Sequence, residues 1–159
     1  LANNYGNLCQ RVFSFIKKNC SNKIPRGEAL SKADKDLTDK LKNDIGKLSE
    51  LINKQDLNNY IKKVIEYSFD ANKYFNDSEP WSLKKTNINK MNSVLHSITE
   101  QIKNISILLL PIMPSSANKT LDIMNIKEDQ RKISLIVKND NLNHSEELKK
   151  IEILFKKVD

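Results

Sequence analysis

Two short stretches hold the side chains best suited to chemistry. In "LANNYGNLCQRVFSFIKK", Asn7 and Arg11 stand four residues apart. In "DSEPWSLKK", the one tryptophan of the chain, Trp81, follows Pro80 and precedes Lys84 and Lys85. On a helix, residues i and i+4 are side-by-side neighbours. Asparagine offers an amide donor and acceptor, and arginine a planar fork of donors with a permanent charge. Such a pair can read a base edge and grip a phosphate. An indole at a helix start, with lysines one turn later, is the setting in which aromatic faces hold single-stranded bases. Lys18, Lys84 and Lys85 are the candidate phosphate contacts. Each feature also has an ordinary counterpart. An Asn/Arg/Lys stripe is what a solvated helix face presents, and a lone tryptophan in a small helical domain usually packs in or beside the core.

Other chemistry is restricted by composition. The chain has 159 residues, enough for one domain with a real core. It carries 27 Lys+Arg against 20 Asp+Glu, a net charge of +7. A surplus of that size favours an anionic partner, nucleic acid first and a membrane surface second, although a general enrichment in lysine accounts for it too. The three glycines, Gly6, Gly27 and Gly46, are too dispersed for a phosphate-cradling loop, which excludes a P-loop or dinucleotide fingerprint. Cys9 and Cys20, if on one helix, lie roughly 16 Å apart, too far for a disulfide. Two unpaired thiols suit a reducing cytoplasm. His96 and His144 show no cysteine or carboxylate cluster at metal-ligand spacing, so no metal is expected. No apolar run is of membrane-spanning length, and "ISILLLPIM" is short and broken by Pro111. The chain lacks an initiator methionine and opens on residues that read as the inside of a helix, as if cut from something longer.

The elements that must position these residues are helical almost throughout. Leu1, Tyr5, Leu8, Val12, Phe15 and Ile16 share one face of a first helix, closed by Pro25 and Gly27. Asn4, Asn7, Arg11, Ser14 and Lys18 form the opposite stripe. Ser31 with Asp34 suggests a capping box, leading into one amphipathic helix through Leu37, Leu41, Ile45, Leu48 and Ile52. Asp56 can cap a third helix with Leu57, Ile61, Val64, Ile65, Ala71 and Phe75 inward. Pro80 suits the first turn of a short helix carrying Trp81. A fifth runs through Met91, Val94, Leu95, Ile98, Ile102, Ile105 and Leu109, and Pro114 begins a sixth that ends near Asn125. "KISLIVKND" reads as a short strand or extended stretch, "NDNLNH" as a loop, and "SEELKKIEILFKKVD" as a terminal helix or extended tail. The expected architecture is all-α, an antiparallel helix bundle over residues 1–126 with a less regular C-terminal extension, 127–159, packing back on it.

Three blocks resemble the C-terminal anticodon-binding domain of the methionyl-tRNA synthetases, class I aminoacyl-tRNA synthetases. The first helix has their Leu-Gly-Asn-Leu-x-x-Arg character, with Tyr5 where leucine is common. "DANKYFNDSEPWSLKK" resembles their Ala-Asn-Lys-Tyr … Pro-Trp-x-Leu block, and "ILLLPIMPSSANKTLDIMNI" their Pro-x-Met-Pro break with its short helix. The ending "LFKKVD" resembles the family's Leu-Phe-Pro-Arg-Ile-Asp type, with Lys156 in place of proline. The combination of Asn7-x-x-x-Arg11 with Pro80-Trp81 is more specific than any one block. The resemblance implies an α-helical bundle of the class I anticodon-binding type. It implies that Asn7 and Arg11 contact the anticodon and that Trp81 stacks on its cytosine. The partners it implies are a methionine-specific tRNA with a CAU anticodon and an intramolecular catalytic domain, in a cytoplasmic enzyme away from membranes. That enzyme would join methionine to its tRNA using ATP and Mg²⁺. No His-Ile-Gly-His-like or Lys-Met-Ser-Lys-Ser-like block and no zinc knuckle is present, so this chain alone is expected to carry no catalytic site and no cofactor. The alternatives are the anticodon domain of a cysteine, leucine, isoleucine or valine enzyme, and a non-enzymatic helical interaction module.

Overall fold

The computed structural model describes residues 2–138 and 140–151, with the side chain of Ala2 left aside. Among these residues there are seven α-helices and no strand: α1 (Ala2–Asn19), α2 (Lys32–Asn43), α3 (Ile45–Asn53), α4 (Leu57–Ser78), α5 (Pro80–Thr86), α6 (Ile88–Leu109) and α7 (Pro114–Ile123). Two 3₁₀ turns follow, at Glu128–Gln130 and Ile133–Leu135.

The bundle is built around α6, which packs against α1, α2, α4, α5 and α7. From Ser93 to Leu109 every residue of α6 is buried. In a helix enclosed on all sides polar side chains can pair only within the protein; several do, whereas the amides of Gln101 and Asn104 have no partner among the described residues. Ser106 shares a hydrogen bond with the Tyr5 hydroxyl. Thr99 donates back to the Leu95 carbonyl at 2.8 Å, and Glu100 pairs with Lys42 at 2.8 Å.

The face of α1 is as the periodicity predicts. Tyr5, Leu8, Val12 and Ile16 are fully buried. Cys9 and Phe13 join them, and Phe15 is half-buried at the edge. Leu1 lies outside the described residues. The capping box is present in full, with Ser31 Oγ accepting from the Asp34 amide and the Asp34 carboxylate from the Ser31 amide. Asp56 caps α4 by accepting from the Asn59 amide.

Two expectations are corrected. The helix expected from Leu37 to Ile52 is two helices, broken at Asp44. The Asp44 carboxylate accepts a hydrogen bond from the Tyr67 hydroxyl at 2.6 Å and lies 3.7 Å from Lys63, so α4 draws the junction toward itself. On α4 the expected inward residue Leu57 is 46 % exposed, whereas Tyr60 and Tyr67 are fully buried. Their rings enter the core because each hydroxyl has an acceptor there, the Leu108 carbonyl for Tyr60 and Asp44 for Tyr67.

Beyond α7 the chain is irregular. Residues 133–135 turn as a 3₁₀ helix, which corrects the short strand or extended stretch expected there. Residues 145–151 form no helix. Instead the Leu148 amide donates to the Asn22 carbonyl at 2.8 Å and the Lys149 amide to the Ile123 carbonyl at 3.0 Å. Leu148 and Ile136 sink into the core. The "LFKKVD" ending lies outside the described residues.

Candidate nucleic-acid interface

The exposed stripe of α1 holds Asn7, Arg11, Ser14 and Lys18. Because Leu8, Val12 and Ile16 anchor the opposite face, the stripe is fixed toward solvent. The Arg11 guanidinium donates to Asn76 Oδ1 at 2.7 Å, and its Cζ sits 5.0 Å from the centroid of the Phe75 ring. A hydrogen bond and a cation–π contact together hold the fork in one orientation, with donors left over.

Phe75 supports Trp81 as well. The two rings meet edge to face, centroids 5.8 Å apart at 73°. Phe15 packs on Phe75 in the same manner at 6.5 Å. Phe75 is only 2 % exposed, while Trp81 is 42 % exposed. The indole is therefore propped from below and open above. Local sequence explains its placement. A single residue, Glu79, joins α4 to α5 in the left-handed conformation, φ 46°. Pro80 then takes the first helical turn and is buried. This tight junction swings Trp81 back over the end of α4, where Phe75 lies.

Lys84 and Lys85 occupy the last turn of α5. With Arg11, Ser14, Lys18, Phe15 and Trp81 they line one open cleft of about 860 Å³. Five of the six residues singled out by sequence, Arg11, Lys18, Trp81, Lys84 and Lys85, thus converge. Asn7 lies one helical turn further along the same stripe and outside the cleft lining. Phe75 and Asn76 were missed as parts of the site. Phe75 reads as a core residue from its spacing, and only the short reach from Tyr74-Phe75-Asn76 to Pro80-Trp81 signals that both could serve the same cleft. The arrangement combines an open aromatic face, an oriented cation and three lysines, which suits a nucleic-acid strand.

Neither thiol offers nucleophilic chemistry. Burial pushes Cys9 up to about 12 and Cys20 to about 11, so both stay protonated near neutrality.

A second polar cleft lies among Gly27, His96, Asp140 and His144. The fold brings together what the sequence spacing does not show, for His96, Glu100 and Asp140 place ligand-type atoms within 4.8 Å of one another. These atoms already have partners. The Gly27 amide donates to His96 Nδ1 at 3.1 Å, which leaves the ring proton on Nε2, 3.1 Å from Asp140 Oδ2. Glu100 is held by Lys42. The His96 ring also stacks on His144, centroids 5.3 Å apart. A side chain at Gly27 would meet His96 Cβ at 2.9 Å, so glycine is required for this approach. The hydrogen bond to Asp140 raises the His96 pKa, and the same bond holds the Asp140 carboxyl down at about 2. The cluster is a hydrogen-bonded clamp on residues 140–144 rather than a set of free ligands.

Known proteins give the same picture. Residues 24–159 match the family described as the anticodon binding domain of methionyl tRNA ligase. A methionine–tRNA ligase of Brucella suis is 36% identical over 134 residues, 84% of this chain and 26% of the relative. One from Rickettsia conorii is 33% identical over 165 residues, 100% of this chain and 32% of the relative, so its match includes α1. The Mycobacterium tuberculosis methionyl-tRNA synthetase in complex with methionyl-adenylate superposes with a TM-score of 0.90 at 25% identity, over 99% of this chain and 31% of that one. The chain thus spans about a quarter to a third of the length of these proteins. Fold and relatives agree that this chain belongs to the anticodon-binding domain family of the methionine–tRNA ligases.

Proposed function

We propose that the chain reads the CAU anticodon of a methionine-specific tRNA, as the anticodon-recognition part of a cytoplasmic methionine–tRNA ligase. Residues 1–126 form the RNA-reading bundle and 127–159 a C-terminal extension, whose residues 140–151 pack back on it. The observation that carries this reading is the half-open indole of Trp81 propped on Phe75, beside an Arg11 fork fixed by Asn76. Trp81 offers a flat face to the cytosine of the anticodon. Stacking accepts any base, so it supplies affinity more than choice. Asn7 and Arg11 supply the choice through hydrogen bonds, because a mismatched base leaves their donors unpaired. Lys18, Lys84 and Lys85 hold phosphates and carry no sequence information.

The intact enzyme joins methionine to tRNA with ATP and Mg²⁺. The three dispersed glycines of this chain exclude a phosphate-cradling loop, and we assign the ATP-dependent chemistry to a catalytic domain joined to this one. The names of the family and of the relatives favour the methionine enzyme over cysteine, leucine, isoleucine or valine types, and over a non-enzymatic interaction module.

The test is aminoacylation by the intact enzyme on tRNAs differing at the first anticodon base. Trp81→Ala should lose about 1–3 kcal/mol of tRNA binding. Asn7→Ala or Arg11→Ala should in addition erode the preference for CAU. Normal efficiency and base preference in all three variants would return Trp81 to a packing role.

A further inference from the structure

Phe69 is 61 % exposed, more than any other large apolar side chain among the described residues, Trp81 included. It lies on α4 in a stripe with Asn72 and Asn76, at i, i+3 and i+7. That stripe runs beside α1. Asn72 donates to the Asn4 side-chain oxygen and backbone carbonyl, and Asn76 holds Arg11. The face of α4 that orients Arg11 therefore continues, past the Asn4–Asn72 pair, to an uncovered aromatic ring.

From Phe75, the support of Trp81, to Phe69 is six residues, about 9 Å along the helix axis. At about 3.4 Å per stacked nucleotide in one strand, this is the span of two to three bases. Charge around Phe69 also suits RNA. Asp70 and Glu66 share Lys40 at 2.7 and 2.8 Å, Glu66 also reaches Lys63 at 3.4 Å, and Asp77 pairs with Lys73 at 2.6 Å, so each carboxylate is engaged by a lysine. Lys62, seven residues before Phe69 on the same stripe, is exposed and in no ion pair among the described residues. The surface thus offers an aromatic face, amides on one side and an uncompensated cation on the other.

We propose that Phe69 is a second base-stacking platform, taking a nucleotide of the same anticodon loop two or three positions along the strand from the one on Trp81, with Lys62 on the adjoining phosphate. This rests on the anticodon-reading function above and extends its site along α4. Because stacking tolerates any base, Phe69 adds affinity and a fixed strand path, not base choice.

The experiment uses the intact ligase and an anticodon stem-loop RNA carrying 2-aminopurine at each loop position in turn. Phe69→Ala should weaken RNA binding about 5- to 150-fold, the range for one lost base–aromatic stack. It should also restore fluorescence at one loop position that differs from the position restored by Trp81→Ala. Phe69→Trp should bind like the parent, and Phe69→Leu, which keeps apolar area without a π face, should bind like Phe69→Ala. Thermal melting verifies folding, which an exposed position leaves intact. Parent-like binding by Phe69→Leu would overturn the proposal, as would unchanged RNA binding in Phe69→Ala with altered association to protein, which would make this face a protein-docking patch. If Trp81→Ala weakens binding and Phe69→Ala does not, only the second platform fails. If neither does, the anticodon reading itself fails.

Discussion

Neutralising Lys18, Lys84 and Lys85 together, each to glutamine, is the most quantitative probe of the cleft. All three line it, and none is in an ion pair among the described residues, so each charge is available to a phosphate. Every phosphate neutralised on a single strand releases about 0.7 counterion. Three contacts therefore account for about 2 units of the slope of log K against log salt. Raising salt fourfold, from about 50 to 200 mM, should cost the parent about 20-fold more affinity than it costs the triple variant. The assay is fluorescence anisotropy of labelled tRNA against the intact enzyme over a salt series. At low salt the variant should bind more weakly to cognate and noncognate tRNA alike, because phosphates are the same in both. Parallel lines for parent and variant, whatever their offset, would show that these lysines only solvate the surface and would remove the phosphate-binding part of the argument.

The fold and its buried charge give further tests. Leu8→Asp places a carboxylate at a fully buried position of α1 and should cost about 3 kcal/mol or more in denaturant unfolding; a wild-type midpoint would mean that α1 faces the other way. Lys103 is 1 % exposed, and burial lowers its pKa to about 8, against about 10.4 for a free lysine. The folded chain thus binds this proton less tightly than the unfolded chain, so the penalty is complete below pH 8 and is relieved as pH rises toward about 10.4. Lys103→Met removes about 3 kcal/mol of that penalty and about 2 kcal/mol of charge-assisted hydrogen bonding to the Asp140 carbonyl, leaving the variant about 1 kcal/mol more stable at pH 7. Its advantage should shrink between pH 8 and 10.4, and an advantage independent of pH would refute the assignment.

Much of this site could be read from spacing because its exposed half is local. Asn7 and Arg11 are one turn apart on a helix whose other face is plainly apolar, and Pro80 marks the helix start that carries Trp81. The support beneath was not legible. Phe75 has the spacing of any core residue, and its place under Trp81 depends on Glu79 adopting a left-handed conformation that composition does not demand. The break at Asp44 depends on the Tyr67 hydroxyl, 23 residues away. His96 and Asp140 are 44 positions apart and meet only once the irregular C-terminal segment folds back. Buried Glu100 and Lys103 on α6 look like solvent-facing residues until their partners, Lys42 and the Asp140 carbonyl, are known.

The folded-back segment has a consequence for the order in which the chain assembles and opens. Asn22 and Leu148, which exchange two hydrogen bonds, are separated by 126 positions. Closing so long a loop in a flexible chain carries an entropic term of about 4 kcal/mol, whereas each helix forms from neighbours. The helices and their packing on α6 should therefore come first, shortening the effective loop before residues 140–151 zip onto the ends of α1 and α7. In reverse, these residues are the first to detach. Amide exchange at Leu148 and Lys149 should report a local opening of lower free energy than exchange within α6, which waits for the whole molecule to unfold.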